Sequence, residues 1–175
     1  MRLVRYGGAM SLDGYIATPT GGYDWITHDP DMDFAAMMAR FDTFLIGRKT
    51  FDTMGRSLKL MPPNTTTIVF SRTLKPTDHP NIQISDNPTQ LVTSLRSQPG
   101  KDIALFGGGD LFRSLLQTNL VNRVEVSLIP VLLGEGIPFL PPPGPHTKLK
   151  LLDQRLYKKT GIIGLEYEVL RVEAA

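Results

Sequence analysis

Three short stretches bring cations or hydroxyls to short loops, Ala9-Met10-Ser11, Gly47-Arg48-Lys49-Thr50 and Ser71-Arg72-Thr73, and a fourth, Gly107-Gly108-Gly109-Asp110, offers three glycines before an acid. Each follows a short apolar or β-branched run, and beyond Gly109 the residues Leu111, Phe112, Leu115 and Leu116 recur at helical spacing. A strand that enters a helix through glycines leaves bare backbone open to a ligand and aims unpaired N–H groups at it, which suits a phosphate. The plainer alternative is a loop whose glycines only permit positive φ. Arg48, Lys49 and Arg72 together suit a ligand with several phosphate charges, whereas any one of them alone reads as a solvated side chain. Their common placement after strands favours a binding edge, because ligands of open α/β sheets sit at the carboxyl ends of strands.

The chemistry is not that of a familiar nucleotide motif. Gly107 and Gly109 begin a G-x-G-x-x-G pattern, but Phe112 occupies the place of the third glycine. Gly47-Arg48-Lys49-Thr50 ends like a P-loop, yet Asp42 stands where its first glycine belongs. A dinucleotide bound here is held by another geometry. A second constellation is acidic. Asp29-Pro30 reads as a helix start, with Asp31 and Asp33 flanking an apolar stripe of Phe34, Met37, Met38 and Phe41. A partly desolvated acid beside a cleft can serve proton transfer; acids in a first turn also simply favour the helix dipole.

These residues need elements to position them. The spacing predicts a strand over 2–10, a turn at Asp13-Gly14, a polar loop over Thr18–Gly22 and a helix over about 30–41. Strands follow at 43–46, 65–70 and 81–85, with helices near 49–54 and 88–97. After the glycine loop and its helix come a strand from Val121 to Ile129 and a Gly/Pro-rich excursion over 132–145. Two segments, about 148–158 and 162–172, alternate like an antiparallel hairpin. The alternation argues for an α/β sandwich on a mostly parallel sheet closed by an antiparallel edge.

Composition bounds the rest. The 175 residues suit one domain over 1–175, and a net charge of +2 without a basic run argues against dense nucleic-acid binding. Cysteine is absent, which excludes thiolate chemistry, and His28, His79 and His146 make no zinc spacing, so no metal is expected. No stretch approaches the roughly 18 apolar residues of a membrane span, and a cytoplasmic protein is the expectation.

Ser11-Leu12-Asp13-Gly14-Tyr15-Ile16-Ala17, Ile46-Gly47-Arg48-Lys49-Thr50-Phe51, Ser71-Arg72-Thr73, Phe106-Gly107-Gly108-Gly109-Asp110-Leu111-Phe112 and the run from Val124 to Gly134 together resemble the dihydrofolate reductase superfamily. They are most like the reductase domain at the C-terminus of the bifunctional riboflavin-biosynthesis deaminase/reductase. The resemblance implies a three-layer α/β/α sandwich on a mixed, mostly parallel sheet of about eight strands with a C-terminal antiparallel hairpin. It also implies NADPH as cofactor and hydride transfer to a pyrimidine or pterin-like ring. Gly47, Arg48, Lys49 and Thr50 would hold phosphates, and Ser71 and Arg72 the 2′-phosphate. Gly107, Gly108 and Gly109 would face the pyrophosphate through an unusual cis peptide, with Asp110 and Leu111 at the same helix start. Ala9 and Ile16 would bracket the nicotinamide under a Thr18–Gly22 lid. Asp31 or Asp33, with Ser127 and a water, would supply the proton. Related domains pair, which makes a homodimer through the Leu128–Leu140 stretch an expectation. The alternatives are dihydrofolate reduction itself, or a nucleotide-binding member without turnover. Met61-Pro62-Pro63-Asn64-Thr65 lacks the basic residue that would grip a folate glutamate tail.

Overall fold

The structure, a computed structural model, describes residues 1–54 and 61–170. Its frame is one eight-stranded sheet built from β1 (Val4–Ser11), β3 (Phe41–Gly47), β4 (Thr66–Phe70), β5 (Gln83–Ser85), β6 (Asp102–Gly107), β7 (Arg123–Ile129), β9 (Leu149–Tyr157) and β10 (Ile162–Val169). The order across it is β5-β4-β3-β6-β1-β7-β10-β9. The pairs from β5 through to β7 are parallel, and β10 then runs antiparallel to both β7 and β9. Because β1, β3, β4, β6 and β7 all point the same way, their carboxyl ends form one edge. Gly47 pairs with Phe70, and Ile46 with Gly107, so the glycine-bearing ends are neighbours in space.

Helices cover both faces. On one face α3 (Pro88–Ser97) and α4 (Gly109–Gln117) bury Val92, Leu111, Phe112, Leu115 and Leu116 against Val4, Tyr6, Leu45, Ile103, Leu105 and Val124. On the other, α2 (Arg48–Met54) packs Phe51 against Ile46 and Val69, and Met38 of α1 (Phe34–Met38) meets Phe41 and Phe44. β3 supplies both layers because its alternate side chains, Leu45 on one side and Phe44 and Ile46 on the other, point to opposite faces. Among the described residues no helix is long and apolar enough to cross a membrane.

Three expectations need correction. The helix expected over 30–41 is only five residues long. Asp33, not Asp29, is its N-cap, its side chain accepting from the Ala36 amide at 2.9 Å. The helical period of Phe34, Met37, Met38 and Phe41 continues across a boundary it does not reveal, since Phe41 already opens β3. The Gly/Pro-rich excursion also holds a strand, β8 (Ile137–Pro138), paired with β2 (Tyr15–Ala17). Of the Leu128–Leu140 stretch, Leu132 and Ile137 are exposed, whereas Leu128, Phe139 and Leu140 pack on the core. The final hairpin lies where its alternation places it, turning at Gly161 with φ 75°, and the last two residues of the expected segment, 171–172, lie outside the described residues.

The small β2–β8 sheet depends on one close approach. A Cβ on Gly136 would lie 2.3 Å from the Ala17 carbonyl oxygen, a rigid backbone atom. Gly136→Ala is expected to lower stability by about 3 kcal/mol, the upper part of the range for forced overpacking. A fall in Tm of roughly 6–12 °C in thermal denaturation would register it.

Candidate functional site

The parallel strand ends open into a cleft of about 1490 Å³. At its β3–β6 side stand Gly47, Arg48, Lys49, Thr50, Gly107, Gly108, Gly109, Asp110 and Leu111, with Ala9 and Ile16 lining it from β1 and β2. The glycines let the chain come close to itself. A Cβ on Gly108 would lie 2.9 Å from Thr50 Oγ1, and one on Gly109 2.6 Å from the Pro141 ring. The Gly107–Gly108 peptide is cis, as the resemblance implies. Gly108 is the N-cap of α4 and carries no side chain to satisfy the helix's first amides, which leaves donors at the cleft wall.

The cations there are loosely held. Arg48 Nε bonds both Asp52 carboxylate oxygens at 2.9 and 2.7 Å on the surface. Lys49 is almost fully exposed and stands 3.7 Å from Asp110, which also takes a 3.0 Å bond from Arg113. A second hollow of about 340 Å³ holds Ser71, Arg72, Thr73 and Asp86. It shares Arg48, Phe70 and Pro88 with the main cleft, so the two adjoin. Ser71 Oγ accepts from the Thr73 and Leu74 amides at 3.1 Å each, turning the chain so that Arg72 borders the hollow.

The acids divide. Asp33 and Ser127 line the cleft. Asp31 is not brought there: its carboxylate is exposed and receives Lys159 Nζ at 2.9 Å. Asp29 is fully buried and serves as a strut. It accepts the Thr160 hydroxyl at 2.7 Å and the Asp31 amide at 2.9 Å, tying the segment before α1 to the β9–β10 turn. The Thr160 hydrogen bond, seconded by the Asp31 amide and the charge of Lys159, holds the Asp29 carboxyl below its usual pKa. A carboxyl depressed in the folded state stabilises above its unfolded pKa of about 4 and loses that contribution as pH falls through the folded value. Thr160→Val is therefore expected to lower the Tm at pH 7, with the gap from wild type narrowing below about pH 4 as both carboxyls protonate; melting curves across pH read it directly. The 11–17 loop is latched similarly. Asp13 accepts the Ser11 hydroxyl at 2.6 Å and the Leu133 and Gly134 amides, and these bonds hold its pKa down.

Sequence reasoning missed the floor at the cleft's other end. Arg5 on β1 donates to Asp102 and Glu125 at 2.6 Å and to Glu166 at 2.8 Å, and Arg40 caps the other Glu125 oxygen. Burial disfavours the Arg5 charge, but the bonds to Asp102, Glu125 and Glu166 outweigh it and hold the guanidinium pKa above its usual value. One signal was available in the strings Val4-Arg5-Tyr6, Val124-Glu125-Val126-Ser127 and Leu165-Glu166-Tyr167. Strands central to a covered sheet ordinarily read as unbroken apolar runs, so polar alternation in three of them marks a face turned to something other than core.

A mixed eight-stranded sheet between two helical layers, with a cleft at its glycine-bearing carboxyl edge, defines a dihydrofolate-reductase-like α/β domain. The sequence profile of the RibD C-terminal domain matches residues 2–161, and the chain belongs to that family, which is of riboflavin-pathway reductase type. It is 36% identical over 171 residues to the uncharacterized YyaP protein of Bacillus subtilis (strain 168), covering 91% of this chain and 90% of that one. Among solved structures it resembles a candidate riboflavin biosynthesis protein from Shewanella sp. PV-4, with a TM-score of 0.80, 22% identity, and coverage of 97% of this chain and 99% of that chain. It also resembles the diaminohydroxyphosphoribosylaminopyrimidine deaminase/5-amino-6-(5-phosphoribosylamino)uracil reductase of Thermotoga maritima, with a TM-score of 0.70 and 18% identity. That match covers 97% of this chain but 57% of the Thermotoga chain. At these identities the structural likenesses establish the fold.

Proposed function

We propose that the cleft binds NADPH and that the protein is an NADPH-dependent reductase of a pyrimidine or pterin-like ring, of riboflavin-biosynthesis type. The observation that carries this reading is convergence. Gly47, Thr50, Gly107, Gly108, Gly109, Ala9 and Ile16 border one cleft, and Arg48 joins it to the hollow of Arg72. The residues present fit the cofactor. The uncapped start of α4 offers amides for a pyrophosphate, Lys49 and Arg48 offer charge, and Ser71 and Arg72 suit a 2′-phosphate. When bound, NADPH supplies the hydride. The chain's own tasks are to hold the ring over the Ala9 and Ser127 backbone, to exclude water, and to keep a proton source at hand through Asp33 or Ser127 with a water. Asp31, paired with Lys159 outside the cleft, is the weaker candidate.

The test is a thermal-shift titration with NADPH and with NADH, followed by loss of the 340 nm absorbance of NADPH with pyrimidine and pterin rings present. A larger stabilisation by NADPH and turnover with one ring class are expected. No shift with either coenzyme would overturn the reading. A shift without turnover across the ring panel would point instead to a binding module.

A further inference from the structure

After Ala17 the chain leaves the strands and rejoins them only at Phe41. This excursion forms one wall of the cleft, lined by Tyr23, Ile26, His28, Asp33, Phe34 and Met37. Little in the wall fixes its position. Its one α-helix, α1, has five residues and buries none of them, and a helix so short does not stand on its own hydrogen bonds. The backbone–backbone hydrogen bonds of residues 23–39 among the described residues, such as Ile26 to Tyr23 and Met32 to Asp29, stay within the segment. Among the described residues no strand ladder ties it to the sheet.

Of residues 18–40 only Asp29 is buried, and its side chain is a carboxylate. Burying a charge is costly unless it is paired and hydrogen-bonded, so Asp29 needs the Thr160 hydroxyl at 2.7 Å and the Asp31 amide at 2.9 Å. Thr160 stands on a firm support, the turn between β9 and β10. There the Gly161 amide donates to the Tyr157 carbonyl at 2.8 Å, and the flanking Tyr157 and Ile162 are buried. The neighbouring tethers are weaker. Lys159 and Asp31 are both more than half exposed, and such pairs add little. Arg155 reaches the Asp31 carbonyl only at 3.4 Å. Trp25 and Met32 pack on Ile129, Tyr157 and Ile162, but apolar contact is non-directional. The buried Trp25 indole N–H has no hydrogen-bond partner among the described residues to add direction. The wall thus has two fixed points, Asp29 and the entry into β3 at Phe41, with α1 between them.

We propose that Asp29 and Thr160 are a positioning pair: their hydrogen bond sets where α1 stands over the cleft, so that a turn outside the cleft governs the geometry of a wall inside it. Neither side chain lines the cleft, and the pair acts through Asp33, Phe34 and Met37. Losing the Thr160 hydroxyl leaves a buried carboxylate short of a donor. Asp29 recovers that donor by moving out to water, and it carries the start of α1 with it. The effect on turnover rests on the reading of the cleft as a reductase site; the placement of the wall does not.

Trp25 is the sole tryptophan and lies in the wall, so its fluorescence reports whether the segment is docked. The test uses the full-length protein well below its melting temperature, with far-UV circular dichroism confirming that each variant is folded. Thr160→Val is expected to raise acrylamide quenching of Trp25 and shift its emission to the red. It should also lower kcat/KM for the reduced ring about 10- to 100-fold, the scale of a misplacement of about 1 Å. NADPH affinity should stay within about threefold, because the coenzyme contacts lie on other elements. Thr160→Ser, which keeps the hydroxyl, should restore both readouts. Asp29→Asn keeps the shape and one acceptor; it serves as a second variant should Thr160→Val fail to fold, with smaller changes in the same directions. A lowered Tm with Trp25 quenching and kcat/KM at their wild-type values would make the pair a stabilising contact only and overturn the proposal. It also falls if Thr160→Ser is as impaired as Thr160→Val, or if quenching changes while turnover does not. If wild type reduces no ring, the reductase reading fails, and Trp25 quenching alone then decides whether the pair holds the wall.

Discussion

Arg72→Ala is expected to weaken NADPH binding about 10- to 100-fold while changing NADH binding less than threefold. The magnitude follows from removing a charge-assisted hydrogen bond, worth about 1.5–3 kcal/mol when one partner is ionised. The selectivity follows from place. Arg72 borders the smaller hollow with Ser71, Thr73, Asp86 and Arg48, at the far margin of the cleft. Two guanidinia there outnumber the single carboxylate of Asp86. A carboxylate alone would suit the bare ribose hydroxyl of NADH, whereas an added arginine accommodates a phosphate. Arg48 is already shared with Asp52 through two bonds, so Arg72 carries most of the available charge. Fluorescence titration of both coenzymes against wild type and variant reads the ratio; equal losses would remove Arg72 from the 2′-phosphate.

The chemistry at the strand ends was legible because it is local. A run such as Phe44-Leu45-Ile46 followed by Gly47-Arg48-Lys49-Thr50 announces strand, break and cations within seven residues, and Leu105-Phe106 before Gly107 announces strand and break. The rule that parallel strands present their carboxyl ends together then brings distant motifs to one edge without further information. Short-range periodicity failed where the backbone changed state inside a pattern. Met37, Met38 and Phe41 share a helical spacing, yet Asp33 caps a helix of five residues and Phe41 belongs to a strand. The Asp29 carboxylate reads as a helix cap in sequence because nothing nearby announces Thr160, its partner 131 residues away.

The charged floor was hidden for a different reason. Arg5 meets Asp102, Glu125 and Glu166 at separations of 97, 120 and 161 residues. No window along the chain contains that set; only sheet order and register assemble it. Each member alone looks like the wet side of an amphipathic strand. The register of β6, β1, β7 and β10 turns the four into neighbours at one end of the cleft. Site residues supplied by cross-strand register are thus harder to read from sequence than those supplied by strand termini.

Arg5→Met should be the most destabilising single substitution on this floor, lowering stability by about 3–5 kcal/mol, the range found when one partner of a buried ion pair is removed. The guanidinium is 15% exposed and stands among three carboxylates. Methionine matches much of its length and apolar stem, so the loss isolates charge and hydrogen bonding from packing. Removing it leaves Glu125 opposite Glu166 with Arg40 on one side only, and Arg123 3.8 Å from Glu166 as the nearest remaining relief. Adding Glu166→Gln to Arg5→Met should restore part of the stability, because it deletes one of the two facing charges; independent sites would instead show additive losses. Urea denaturation of the wild type, both single variants and the double variant closes this cycle. Additivity within about 0.5 kcal/mol would mean that Arg5 acts through packing and not through the carboxylates it touches.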